Sequence, residues 1–230
     1  MKIGGFQKTS LLDYPKYVSA IIWTVGCNFR CPFCYNKDLV EGNVENISKD
    51  YILNFLEKRK NMLDGLVITG GEPFLQDDLS DFVSKVKKIG LLVKIDTNGT
   101  SPVKLKNFID NKIVDYIAMD VKAPKEKYDK LAGVKVKISN IEKSVDIIKK
   151  SDIDYEFRTT IIPGFLDKKD IIDISRWLNN SKKYYIQQFK SNVNLISGKL
   201  ERKNPYSKEE LLDILDEIKD CFEVCDVRTG

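Results

Sequence analysis

Three of the chain's five cysteines lie within eight residues of one another. Cys27, Cys31 and Cys34 follow the spacing C-x3-C-x2-C in the stretch TVGCNFRCPFCYN, and Phe33 directly precedes the third. Clustered cysteines in an intracellular chain bind a metal more often than they form disulfides. A [4Fe–4S] cluster normally takes four cysteines, so three would leave one iron open to another ligand.

The same spacing also fits a partial zinc knuckle or three buried thiols. The chain contains no histidine, and Cys221 and Cys225 lie far along it, so a four-ligand zinc site would need a ligand recruited across the fold. The lack of histidine also excludes Ser-His-Asp and Cys-His catalysis. We therefore favour an iron–sulfur cluster with three cysteine ligands, and we expect Cys221 and Cys225 to be small apolar residues of a terminal segment.

Composition and charge indicate one globular domain, residues 1–230. The chain is 42% hydrophobic and 31% charged, which is ordinary for a protein with a sizeable core. A net charge of only +4, with both signs interspersed, argues against nucleic-acid and membrane-surface binding. The N-terminal sequence has no apolar signal region, and no apolar run approaches ~18 residues. We therefore predict no signal peptide, no membrane span and a cytoplasmic location.

The hydrophobic pattern predicts the elements that would position the cysteines. Segments with helical periodicity alternate with six runs rich in Val, Ile and Tyr, at 17–25, 65–70, 91–97, 114–121, 155–162 and 183–189. This alternation predicts an α/β fold of right-handed βαβ units. We expect an open, partial (β/α)6 barrel of parallel strands with outer helices. Two helices are predicted to begin with capping boxes, one formed by Ser139 and Glu142 and one by Ser207 and Glu210.

Polar or glycine-rich motifs follow the first five predicted strands. The cysteines follow the first strand, and the later motifs are TGGEP (69–73), DTNG (96–99), DVK (120–122) and IIPG (161–164). Loops at the carboxyl ends of the strands carry the chemistry of parallel α/β folds, because the sheet holds them while they vary. The motifs are therefore expected to converge on one site.

These motifs resemble the radical S-adenosylmethionine (SAM) enzymes, and more narrowly the activating enzymes of glycyl-radical enzymes, such as the activases of anaerobic ribonucleotide reductase and pyruvate formate-lyase. The resemblance extends from TSLLDYP (9–15) to RTTIIPGF (158–165). It implies a partial barrel of the radical SAM type, in which Cys27, Cys31 and Cys34 ligate a [4Fe–4S] cluster and the open iron chelates SAM. An electron from the cluster then cleaves the sulfonium to methionine and a 5′-deoxyadenosyl radical.

The resemblance also implies a set of SAM-binding residues: Phe33, Tyr35, Gly71, Glu72, Asp96, Asp120, Lys122, Arg158 and Gln188. Some of them have structural alternatives. Asp96 could instead cap an Asx turn, with Asn98 forming the turn itself. Asp120 and Lys122 could form a plain salt bridge with each other. Arg158 could reach the SAM carboxylate or merely pair with Glu156.

Two positions depart from the family pattern. Tyr35 stands where the family often has a histidine after the third cysteine, so a backbone contact with SAM would survive there. Gln188 is our candidate substitute for a histidine that contacts the nucleoside in the pyruvate formate-lyase activase. A single chain without histidine must supply both contacts by other means.

The resemblance implies a glycyl-radical enzyme as protein substrate, with anaerobic ribonucleoside-triphosphate reductase preferred, and an electron donor such as flavodoxin or ferredoxin. The sequence leaves no room for a domain that would enclose a small substrate, which favours a macromolecule that closes the mouth from outside. One alternative is a compact radical SAM enzyme acting on a small molecule, of the carboxy-deazaguanine synthase type. The other is a non-enzymatic metal-binding protein, against which the intact GGEP and DVK motifs count.

The spacing generates a first prediction about the cysteines. Alanine at Cys27, Cys31 or Cys34 should abolish most iron binding after anaerobic reconstitution, because each thiolate would ligate the cluster. Alanine at Cys221 or Cys225 should leave the iron content unchanged. Iron is counted per chain in all five variants. Full iron in any variant of the first group, or its loss in Cys221→Ala, would contradict the assignment.

Overall fold

The computed structural model describes residues 1–229. Its strands are β1 (Ile3–Ser10), β2 (Ser19–Thr24), β3 (Gly65–Gly70), β4 (Leu92–Thr97), β5 (Tyr116–Asp120), β6 (Asp154–Ile161), β7 (Ser181–Gln188) and β8 (Phe222–Arg228). Its helices are α1 (Lys37–Glu41), α2 (Lys49–Arg59), α3 (Leu79–Ile89), α4 (Pro102–Asp110), α5 (Tyr128–Ala132), α6 (Ile138–Lys149), α7 (Lys168–Leu178) and α8 (Lys208–Ile218). Within this part of the chain, no helix has the length and hydrophobicity that a membrane crossing requires.

All eight strands form one sheet, and their order in space is their order in the chain. Strands β2 to β8 run parallel, and β1 pairs antiparallel with β2. The sheet does not close, because β1 and β8 are its two edges. The six predicted strands are β2 to β7. The predicted α/β fold, an open partial barrel with outer helices, is therefore confirmed, and β1 and β8 are added to it.

The sequence prediction missed both edge strands for identifiable reasons. In β1, Gly4 and Gly5 weaken the strand signal, because glycine has low β-propensity. The segment of β8, FEVCDVR, was expected to be a short tail although four of its seven residues are apolar. Hydrogen bonding to β7 makes it a strand, with Tyr184 opposite Cys225. The free thiols of Cys221 and Cys225 are partly buried and contact the core, as expected for apolar residues.

Helix ends follow the local sequence in one predicted case and not in the other. Ser207 and Glu210 form the predicted capping box of α8. The capping box predicted at Ser139 is wrong, because Lys137 is the N-cap of α6 and Ser139 lies inside the helix. Glu142 instead forms a salt bridge with Lys125 at 2.6 Å. The helix therefore begins two residues before the position that the Ser139 pattern predicts, and no side chain caps its start.

Apolar side chains cover both faces of the sheet in the half that lies away from the carboxyl ends of its parallel strands. The larger core packs one face of the strands, with Ile22, Ile68 and Phe157, against helical residues such as Val83 and Ile174. The opposite face carries a second, smaller buried cluster: Tyr14, Ile21, Val67, Tyr116 and Ala118. We call the face that carries this smaller cluster the inner face. Because side chains alternate along a strand, residues two positions further along each strand lie on the same face, nearer the carboxyl ends. That is where the polar motifs lie.

Candidate functional site

The three cysteines lie on the loop that follows β2, which we call the cysteine loop (residues 26–36). Main-chain hydrogen bonds attach its start to its neighbours. The Gly26 N–H donates to the Leu39 carbonyl at 2.8 Å, and the Gly26 carbonyl accepts from the Glu72 N–H at 2.9 Å. A Cβ on Gly71 would lie 2.0 Å from the Gly26 carbonyl oxygen, so only glycine allows β3 to approach the loop this closely.

Other main-chain contacts fix the rest of the cysteine loop. The Arg30 N–H donates to the Ala132 carbonyl at 2.8 Å, at the end of α5. The loop after β7 donates to it through Ser197, whose N–H bonds the Pro32 carbonyl at 2.9 Å. Ile196 similarly donates to the Cys34 carbonyl at 3.1 Å. Elements from distant parts of the chain therefore set the position of the cysteines.

The thiols lie in a shielded environment. Cys31 is buried, while Cys27 and Cys34 are partly buried. Burial raises the pKa of the Cys31 thiol to about 12, and the nearby Lys122 ammonium opposes that shift. Iron binding requires thiolates, so loading a metal here would release protons. The positive charge of Lys122 would compensate part of the thiolate charge that remains.

The candidate donor set is three thiols on one anchored loop. In residues 1–229, no group of three or more His, Cys, Asp and Glu side chains is arranged to hold a single metal ion. In a [4Fe–4S] cluster each thiolate binds a separate iron, so three cysteines on one loop are donors of the kind that such a cluster takes.

A polar chain links the cysteine loop to the end of β4. Asn98 donates through Nδ2 to Asn28 Oδ1 at 2.8 Å, and Asn28 donates to the Thr100 hydroxyl at 2.9 Å. Asn98 also accepts from the Thr100 N–H at 3.1 Å, which is an Asx turn. The turn-forming side chain is therefore Asn98, and Asp96 remains free for another role.

Glu72 of the GGEP motif is fully buried. Its carboxylate accepts from the Asn98 N–H at 2.7 Å, the Thr97 hydroxyl at 2.8 Å and the Phe74 N–H at 3.1 Å. Burial raises the pKa of Glu72 to about 7, against the opposing effect of these three donors. Its carboxylate thus ties the end of β3 to the end of β4, so a contact with SAM would have to come from its main chain.

Arg158 occupies the centre of a buried charge cluster on the inner face. It lies opposite Asp120 in the β5–β6 register and donates through Nε to Asp120 Oδ1 at 2.8 Å. Its Nη1 donates to Asp96 Oδ2 at 3.1 Å and lies 3.7 Å from Glu156 Oε1. Asp120 also accepts from Lys122 Nζ at 3.0 Å. The Asp120–Lys122 salt bridge, named above as the structural alternative, is present. Of the two alternatives for Arg158, the structure tests only Glu156, which lies 3.7 Å away, while Arg158 donates to Asp120 and Asp96.

Opposite charges keep this cluster ionised. Burial alone would raise the pKa of Asp120, but Arg158 and Lys122 outweigh it and hold that pKa below its usual range. Burial would likewise lower the pKa of Lys122, and the Asp120 carboxylate raises it instead. Lys122 Nζ also lies 5.8 Å from the ring centroid of Phe33, a cation–π distance that joins the cluster to the cysteine loop.

One oxygen of the cluster has a charged neighbour but no aligned hydrogen-bond donor. Asp96 Oδ1 is buried and accepts no hydrogen bond of good geometry from the described residues. Lys94 Nζ lies 3.1 Å away and pairs with it electrostatically, while that ammonium donates to the Asp13 carbonyl at 2.6 Å. Asp96 Oδ1 therefore has a lone pair that an amine or hydroxyl of a bound cofactor could use.

Tyr35 and Gln188 are the remaining predicted cofactor residues. Tyr35 is 59% exposed overall, yet burial raises the pKa of its hydroxyl and the Arg158 guanidinium opposes that shift, so the phenol lies near the charge cluster. Gln188 ends β7, and its Nε2 donates to the Tyr206 carbonyl at 2.8 Å. The cofactor-binding role of every residue in the predicted set stays a prediction, and the structure brings the following of them together with the cysteines: Phe33, Tyr35, Gly71, Asp96, Asp120, Lys122 and Arg158.

Two charged residues lie beneath the charge cluster; the sequence prediction named Glu156 only as a possible partner of Arg158, and it missed Arg228. Glu156 is fully buried and accepts from the Tyr116 hydroxyl at 2.9 Å. Arg228 of β8 donates to it through both Nη atoms. The alternation of Glu156 with Arg158 along β6 was a usable signal, because both must face the same side. Arg228 had none, since its segment was not predicted to be a strand.

The sheet is open and parallel, and its carboxyl ends bring together three loop cysteines and a buried charge cluster. This combination of fold and site is typical of iron–sulfur enzymes with partial barrels. The family model described as the Radical SAM superfamily matches residues 21–178. The chain belongs to that superfamily, whose enzymes use a [4Fe–4S] cluster and SAM. This confirms the resemblance inferred from the motifs and the cofactors that it implied.

Individual relatives and structures are similar to the chain to different degrees. A Methanocaldococcus jannaschii protein, named provisionally as a glycyl-radical enzyme activating enzyme, is 37% identical over 81% of this chain and 79% of its own length. The 7-carboxy-7-deazaguanine synthase of Clostridium acetobutylicum is 29% identical over 72% and 69%. The SAM-bound structure of Streptococcus suis SuiB has a TM-score of 0.66 at 15% identity, covering 91% of this chain and 49% of SuiB. The last is a likeness of fold.

Gly71→Ala should displace the cysteine loop. The new Cβ would meet the Gly26 carbonyl carbon and oxygen at 2.6 and 2.0 Å, and main chain cannot yield as a flexible side chain would. We expect a loss of about 1–3 kcal/mol in the free energy of unfolding and reduced iron after reconstitution. Gly198→Ala is the matched control, because its Cβ would meet nothing closer than 3.9 Å. Equal stability and iron content in the two variants would contradict this steric account.

The buried carboxylate of Glu72 predicts a pH dependence. Its pKa is raised from 4.5 to about 7 in the folded chain, so the folded state binds more protons than the unfolded state between these values. Its contribution to stability is therefore fully present below pH 4.5 and is lost as the pH rises to about 7, by roughly 3 kcal/mol. Urea unfolding of the cluster-free protein compares wild type with Glu72→Gln. The free energy of unfolding of wild type, relative to that of Glu72→Gln, should fall as the pH rises from 4.5 to about 7 and then stay constant. A difference independent of pH would show that the folded-state pKa is not raised.

Proposed function

We propose that Cys27, Cys31 and Cys34 ligate the [4Fe–4S] cluster. We also propose that the charge cluster on the inner face, formed by Asp96, Asp120, Lys122 and Arg158, binds SAM. Two observations support this assignment: the anchored cysteine loop, and the buried Asp96 Oδ1, which accepts no aligned hydrogen bond from the described residues. When bound, the reduced cluster supplies the electron that divides SAM into methionine and a 5′-deoxyadenosyl radical. The protein contributes binding, orientation and exclusion of water.

The charged residues are suited to a zwitterionic amino acid group. Lys122 and Arg158 offer donors to a carboxylate, and Asp96 and Asp120 offer acceptors to an amine. Their mutual pairing keeps Asp120, Lys122 and Arg158 charged before SAM arrives, so little reorganisation is needed when it binds.

We further propose that the substrate is a backbone glycine of a partner glycyl-radical enzyme, most strongly anaerobic ribonucleoside-triphosphate reductase. The observation that carries this is the 37% identity over most of the chain to the M. jannaschii relative with an activating-enzyme name. Likeness to the carboxy-deazaguanine synthase is lower, at 29%, which makes a small-molecule substrate the second candidate. The reductase as partner, and flavodoxin or ferredoxin as electron donor, rest on the motif resemblance.

The proposed reaction balances with one electron from the donor. The Cα–H bond of the glycine breaks homolytically and a C5′–H bond forms, which gives 5′-deoxyadenosine and a glycyl radical. The reacting atoms must approach to roughly 3–3.5 Å, which glycine permits because it lacks a Cβ. A flexible glycine loop of the partner would therefore have to enter the open barrel.

Electron paramagnetic resonance tests the proposal directly. Reduced, reconstituted protein is mixed with SAM and each candidate partner without oxygen, and a glycyl-radical doublet is expected with the correct partner. A partner variant with alanine at the radical glycine serves as the control and should give no doublet. SAM cleavage with every candidate but a doublet with none would assign the radical to a small-molecule substrate.

A further inference from the structure

The last described strand inserts an arginine into the inner face of the barrel. Arg228 of β8 donates from Nη1 to Glu156 Oε1 and from Nη2 to Glu156 Oε2, both at 2.8 Å. Its guanidinium carbon lies 3.5 Å from the ring centroid of Tyr185 on β7. A bidentate pair and a stacked ring hold this side chain in one orientation.

The Arg228 partner also faces the proposed SAM-binding arginine. Glu156 Oε1 lies 3.7 Å from Arg158 Nη1, and that same nitrogen donates to Asp96 Oδ2 at 3.1 Å. Arg158 Nη1 is therefore placed between two carboxylates and bonded to one of them. Which carboxylate it bonds depends on how well Glu156 is satisfied elsewhere.

Arg228 satisfies Glu156 with two hydrogen bonds. Glu156 is fully buried, and a buried carboxylate that loses its charged partner is strongly destabilised. Without Arg228, the Tyr116 hydroxyl would be its remaining close donor, and a small shift of Arg158 would bring Nη1 within hydrogen-bond distance. Lys94 is already engaged by Asp96 and by the Asp13 carbonyl. Arg158 would then move away from Asp96.

We propose that Arg228 is a positioning residue for SAM binding: it neutralises Glu156 and so leaves the Arg158 guanidinium directed at Asp96 and Asp120. The inference rests on the proposed contact of Arg158 with SAM and deepens it. Strand β8 thereby contributes to the site, although Arg228 forms no hydrogen bond with the residues proposed to bind SAM. Its effect is transmitted through one carboxylate.

The experiment measures the SAM dissociation constant of anaerobically reconstituted protein by equilibrium dialysis, with iron content and thermal unfolding recorded alongside. Arg228→Met should weaken SAM binding about tenfold at unchanged iron content, the loss expected for one displaced charge-assisted contact. The double variant Arg228→Met, Glu156→Gln should recover most of that affinity, because a neutral amide does not need a second guanidinium. Arg176→Met, on the exposed surface of α7, is the matched control and should match wild type.

The double variant separates positioning from general stability. Unchanged SAM affinity in Arg228→Met, or a double variant no better than the single one, would overturn the inference. If Arg228→Met does not accumulate as folded protein, Arg228→Lys is compared with Arg228→Gln, and only the charged variant should bind SAM like wild type. Equal affinity in these two would also overturn it.

Arg158→Met distinguishes this inference from the proposed function. If Arg158→Met binds SAM as wild type does, the proposed SAM site fails whatever Arg228 does. If Arg158→Met binds weakly while Arg228→Met binds normally, the site stands and the positioning role fails.

Discussion

The buried guanidinium of Arg158 is the interaction on which the inner face of the barrel depends. Three carboxylates from three strands, those of Asp96, Asp120 and Glu156, surround it, and its charge lowers the pKa of Asp120 and of Glu156 against the effect of burial. Parallel register places Asp120 directly opposite it, so the sheet itself sets part of the geometry. The charges are arranged before any ligand binds, which is the condition for electrostatic preorganisation.

A steric constraint couples this charge cluster to the cysteines. The main chain at Gly71 touches the main chain at Gly26, and Glu72 ties the same turn to β4 through its buried carboxylate. A movement of the turn would therefore shift both the cysteine loop and the strand that carries Asp96. With the roles proposed above, cluster binding and SAM orientation would both depend on this one short segment.

The inner strands were predictable from the sequence because each is a long apolar run between helical segments, and the site motifs were predictable because they end those runs. The edge strand β8 was not predictable, since pairing with β7 makes it a strand. Its seven residues include three charges and do not show a strand pattern by themselves. The same limit explains why Arg228 was missed while Arg158 was found. The four-residue pattern at Ser139 also failed, because the helix begins two residues before the pattern predicts and Ser139 lies inside α6.

The cysteine loop is held by amides and carbonyls, and this has a consequence for its evolution. Main-chain groups are present whatever the side chain, so an exposed position such as Arg30 can change without losing the anchoring hydrogen bonds to α5, to the GGEP turn and to the loop after β7. The buried Phe29 and Phe33 are constrained by packing, and Asn28 is constrained by its hydrogen bond with Asn98. Selection on this loop would therefore act on its glycine, its thiols and these three side chains, and would leave its exposed positions free to adapt to different partners.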